Sequence, residues 1–98
     1  MPALELQIAE SRRIIADLVP RLRQHRQRVE MLRSQVRRLG LEGEKGEQLR
    51  KAFEHELEIE KGLVEQLDGM LGRETDRLWT LEQQLRSLRP PRPKPIQA

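Results

Sequence analysis

The sequence predicts an all-α fold: an antiparallel helical hairpin, a two-helix coiled coil, that dimerises into a four-helix bundle. Three observations lead there. Apolar residues recur in a seven-residue pattern over residues 4–39 and again over 53–88. Three glycines, Gly40, Gly43 and Gly46, separate the two patterns. Of 98 residues, 36% are charged, whereas there is one Phe, one Trp and no Tyr. That is too little aromatic bulk for a compact globule. It is the composition of helices packed on helices through a seam of roughly 3.5-residue period.

The first helix is predicted over 3–39. Ile8, Ile15, Leu22, Val29 and Val36 form one row of its stripe. Leu4, Ser11, Leu18, His25, Leu32 and Leu39 form the other. Rows alternating by three and four residues stay on one face of a helix and meet a neighbour along its whole length. Gly40 stands where a helix-ending glycine belongs, free to take positive φ. Residues 40–46 are predicted as the turn. The second helix is predicted over 47–88, and Pro90 with Pro91 stops it. Its rows are Leu57, Val64, Leu71, Leu78 and Leu85, and Phe53, Glu60, Leu67, Glu74, Leu81 and Leu88. The hairpin thus occupies 1–89, followed by a proline-rich basic tail, 90–98.

Folding the chain back at the glycines makes the rows match. Val36 meets Phe53, Leu32 meets Leu57, Leu22 meets Leu67, Leu18 meets Leu71, Ile8 meets Leu81, and Leu4 meets Leu85. The turn is then centred between Glu44 and Lys45. A slip of one heptad would match the rows equally well. Pro20, Gly62, Gly69 and Gly72 weaken their helices, but all four fall on outer faces, away from the seam. Pro20 and Gly69 soften both helices at one level. A break at Gly69 with a third helix after it is the alternative to a continuous second helix.

Charge divides the same way. Residues 1–39 carry nine Arg, no Lys and four acids, whereas 40–89 carry eight bases and twelve acids. A basic helix beside an acidic one is expected to pair with it. The chain has no Cys, so it has neither disulfides nor thiolate ligands, in keeping with a reducing compartment. No apolar run approaches the roughly 18 residues that span a bilayer. With no basic-then-apolar leader either, a cytoplasmic or otherwise intracellular protein is expected.

Few residues invite chemistry. His25 and Glu60 are polar residues on seam positions. They either pair within the seam and fix its register, or reach past its edge to water. Glu74, also on a seam position, is expected to bridge to Arg12. Glu54, His55, Glu56, Glu58 and Glu60 lie close together, but too few of them converge to hold a metal. No serine or threonine stands in a His–carboxylate arrangement, and the glycines fit no nucleotide-binding loop. The expectation is therefore no enzyme and no cofactor.

Partners are more legible. Ile14, Leu49, Leu63 and Met70 lie beside the seam on one flank, more apolar surface than one seam needs. They predict packing against another protein, in the simplest case a second copy. The protein is accordingly expected to be an interaction or assembly module, a scaffold or adaptor. The alternative is nucleic-acid or anionic-surface binding through Arg21, Arg23, Arg26, Arg28 and Arg33. Those arginines lack interleaved aromatics for stacking on bases. In the tail, Pro90, Pro91, Pro93 and Pro95 with Arg89, Arg92 and Lys94 resemble polyproline ligands of SH3-type readers.

One stretch carries a family resemblance. Glu56-Leu57-Glu58-Ile59-Glu60-Lys61-Gly62 resembles a Glu-Leu-Lys-Ile-Lys-Glu-Gly stretch in the antiparallel coiled-coil fingers of Rho-effector proteins. In that family the stretch is basic and lies in the first helix, whereas here it is acidic and lies in the second. The resemblance implies small-GTPase binding and covers about a dozen residues.

Overall fold

The structure, a computed structural model, describes residues 2–88. It is all-helical: α1 spans Pro2–Gly40, a single 3₁₀ turn spans Gly43–Gly46, and α2 spans Glu47–Leu88. The two long helices pack against each other, antiparallel, along their length. The tail prolines Pro90, Pro91, Pro93 and Pro95 lie outside the described residues.

Their contact is the stripe that the heptads mark. Ile8, Leu18, Leu22, Val29, Leu32 and Leu39 of α1 are buried, as is Leu81 of α2. The remaining apolar seam residues of α2, from Phe53 to Leu85, are half-buried. The asymmetry has a simple cause. α1 presents a narrow stripe that α2 covers, whereas α2 presents a wider apolar sector than one helix can cover.

Polar contacts across the seam set the alignment. Ser11 is fully buried, and its hydroxyl donates to the Glu74 carbonyl at 3.4 Å. His25 Nδ1 lies 2.7 Å from Glu60 Oε2. On one edge, Arg12 donates to Glu82 at 3.0 Å and Arg26 to Asp68 at 3.2 Å. All four join the levels that the turn centred at Glu44 and Lys45 requires, so the chain does not slip by a heptad.

Two local expectations are corrected. Positive φ occurs at Gly43 (φ 74°), not at Gly40, which stays helical as the last residue of α1. The helix tightens before it ends: the Leu41 N–H donates to the Arg38 carbonyl and the Glu42 N–H to the Leu39 carbonyl, both at 3.1 Å. These short-range bonds use the last carbonyls, so the reversal falls three residues later. Arg12 does not bridge to Glu74. The two sit on opposite edges of the seam. Arg12 takes Glu82 on its own edge, and Glu74 takes Arg77 one turn along α2 at 3.3 Å.

Both helices run unbroken through their weak residues. α1 contains Pro20, and α2 continues through Gly62, Gly69 and Gly72 without a third helix. A Cβ added at Gly72 would meet nothing within 4 Å. Gly72→Ala is therefore expected to stabilise the hairpin by about 1 kcal/mol. Gly43→Ala, at positive φ, is expected to cost about 1–2 kcal/mol. Urea denaturation of the two variants checks the pair, and a like sign for both would contradict the turn described here.

Candidate functional site

α2 has a second apolar side. Leu49 is 53% exposed, Leu63 36% and Met70 40%. All three project beside the seam on the edge opposite to Arg12 and Arg26. Ile14 lies on that same edge of α1, half-buried, and the Ser11–Glu74 bond sets it level with Met70. Leu63, Met70 and Ile14 thus gather into one region. Leu49 stands apart toward the turn, about 21 Å from Leu63 at helical rise.

Ile59, 53% exposed, joins this side and was not among the expected residues. The signal was present in its spacing. Ile59 precedes Leu63 by four residues, so the two are neighbours on the helix surface. Ala52 precedes Ile59 by seven and follows Leu49 by three. A stripe therefore runs Leu49, Ala52, Ile59, Leu63, Met70 along the outside of α2.

Next to it lies the most deeply buried carboxylate among the described residues. Glu60 is only 6% exposed. His25 Nδ1 approaches one carboxylate oxygen at 2.7 Å and Arg28 Nε the other at 3.5 Å. Of the two readings that the sequence left open, the pair within the seam is the one built. Arg28 reaches in from the edge and brings its guanidinium to the same carboxylate.

The arginines of the basic alternative are mostly engaged. Arg21 lies 3.4 Å from Asp17, Arg26 3.2 Å from Asp68, Arg28 3.5 Å from Glu60, and Arg33 3.1 Å from Glu30. Arg23 alone of the five has no carboxylate partner among the described residues. A patch so paired presents little net positive field to a polyanion.

The opposite edge carries an open groove of about 850 Å³ with Val29 and Val64 on its floor and Arg26, Lys61, Glu30 and Asp68 on its rim. The Arg26–Asp68 ion pair crosses it. Ser11, Thr75, Thr80 and Ser87 each donate to a backbone carbonyl, which occupies their hydroxyls. Among the described residues no three His, Asp or Glu side chains converge as a metal site. No helix among them is long and apolar enough to cross a membrane.

No family model matches the sequence, and no curated protein and no solved structure matches it either.

Proposed function

We propose that this hairpin is a non-enzymatic interaction module, a scaffold or adaptor, which assembles by packing a further helix on the flank of Ile14, Leu49, Leu63 and Met70. One observation carries the reading. Leu49, Leu63 and Met70 are exposed along the side of a helix whose other side already serves the seam. Fully covering an aliphatic side chain of this kind is worth about 1.5–3 kcal/mol. An amphipathic helix with two apolar sides reads as one with two neighbours. A second hairpin, giving a four-helix bundle, is the economical neighbour, because a closed symmetric pair leaves no flank uncovered. The ion pairs along α1 favour this reading over polyanion binding.

The test is molar mass by light scattering over a range of protein concentration and salt, for the natural chain and for Leu63→Glu with Met70→Glu. The natural chain is expected at a multiple of 11.6 kDa. The double variant is expected to fall to the single-chain mass with its helicity kept, since both positions face outward. An oligomer that survives both charges would reject the flank.

A further inference from the structure

We propose that the outer stripe of α2 is covered by α2 of a second copy, running antiparallel about a twofold axis near Lys61. The proposal rests on the helix-packing role above and goes further, in that it names the occupant and the register.

The stripe is itself a heptad pattern. Leu49, Glu56, Leu63 and Met70 form one row, and Ala52, Ile59, Gln66 and Arg73 the other. The rows alternate by three and four residues, as a packing helix requires. They point about 100° away from the hairpin seam, so a third helix can seat there without disturbing α1.

In an antiparallel pair each row meets the other. One alignment sets Ile59 against Leu63 of the second copy, Ala52 against Met70, and Glu56 against Gln66. Symmetry repeats every layer, as a closed twofold interface demands. Ile59 with Leu63 and Ala52 with Met70 are apolar layers, the Glu56 carboxylate meets the amide donor of Gln66, and at each end Leu49 packs along the aliphatic stem of Arg73. At the axis, Ile59 and Leu63 from both copies form a four-residue apolar cluster.

The neighbouring alignments are worse. A slip of one heptad in one direction sets Glu56 on Ile59 and Leu49 on Gln66. A slip in the other keeps Ile59 on Met70 and Glu56 on Arg73 but sets Leu63 on Gln66 and Ala52 on Arg77, so each slip leaves one apolar layer where the first alignment has two. Parallel pairing would face Glu56 with Glu56 and Arg73 with Arg73, which like charges oppose.

The glycines of α2 lie where a second helix would come close. Gly62 and Gly69 lie on the outer edge of the stripe, where helix propensity alone would favour alanine. A Cβ at Gly62 would meet nothing within 4 Å, so the position is open space in the single hairpin. In the alignment above, His55 of the second copy lies beside Gly62 and Gln48 beside Gly69. The missing side chain leaves room at Gly62, whereas at Gly69 the Arg73 guanidinium of the same helix already approaches to 3.3 Å of a Cβ position.

The chain contains no cysteine, so one introduced thiol is a unique reporter. Ile59→Cys lies at the axis and is expected to couple to itself rapidly with a short bismaleimide, giving a covalent dimer. Gln27→Cys, on the far face of α1, is expected to couple at least tenfold more slowly. Circular dichroism is expected to show both variants as helical as the natural chain. If Ile59→Cys couples no faster than Gln27→Cys while the natural chain is an oligomer, the register is overturned. The flank reading then still stands or falls on Leu63→Glu with Met70→Glu. A natural chain at single-chain mass up to millimolar concentration overturns the second copy as occupant.

Discussion

Replacing His25 with Leu is expected to destabilise the hairpin by about 2–3 kcal/mol, and replacing His25 and Glu60 together with Leu is expected to recover most or all of that loss. The reason lies in what remains behind. Glu60 is 6% exposed and holds its short contact to His25 Nδ1 at 2.7 Å. Without His25 the carboxylate keeps only Arg28, at 3.5 Å from its other oxygen and itself largely in water. A buried charge that loses its partner costs more than the pair contributed, because its desolvation is no longer offset. Two leucines in the same layer would instead extend the apolar seam. The measurement is a double-variant cycle by urea denaturation. A His25→Leu cost under about 0.5 kcal/mol would mean that the carboxylate is solvated by another route. The recovered stability is expected to have a drawback. With the polar layer gone, fewer contacts distinguish the native alignment from a heptad slip, as with single polar layers in other coiled coils.

The second large effect is expected at Pro20. Pro20→Ala should raise stability by about 2–3 kcal/mol, the helix-interior penalty of proline less the gain in freedom of the unfolded chain. Proline has no N–H for the Ala16 carbonyl, and its ring crowds that carbonyl. Both residues are exposed, so water can solvate the carbonyl that the ladder leaves open. The position is tolerated because it faces away from Leu18 and Leu22, which stay buried on either side. Urea midpoints and amide protection around residue 16 would check this. An unchanged midpoint would mean that α1 is not continuous through Pro20.

The contrast between these two sites shows what a heptad can and cannot encode. The alternating rows identify the packing face, so the stripe from Leu4 to Leu85 was readable from spacing, and the three glycines between the rows pointed to a chain that folds back on itself. The same rows are silent about the backbone at the turn. Gly40 and Gly43 are equivalent as residue types, and only the tightening of the last turn of α1 decides which one reverses the chain. They are also silent about edges. Arg12 is near both Glu74 and Glu82 in a layer diagram, and which edge of the seam it occupies selects Glu82. Nor do the rows say whether His25 and Glu60 turn inward or outward, or that Arg28 joins them at the Glu60 carboxylate. For the candidate site, Leu49, Leu63 and Met70 were visible as excess beside the seam. Ile59 was not, because it lies one step further around the helix and adjoins the stripe only once the outer side of α2 is considered by itself.

The short connection between the helices has a mechanical consequence. The two free ends of the hairpin leave at the same end, with the turn at the other. A load applied between them does not shear the whole seam at once. It peels the layers one after another, Leu4 from Leu85 first, then Ile8 from Leu81. Each step then needs only the work of opening a single layer. Reassembly runs the other way: closing the few residues of the turn costs the least chain entropy, and every later layer closes against one already formed. The buried Ser11 and the Glu60 cluster stand along that track as two points where the peeling front must break a polar contact and the closing one must desolvate it. Such a hairpin yields in steps, as a zipper does, and rejoins from the turn outward.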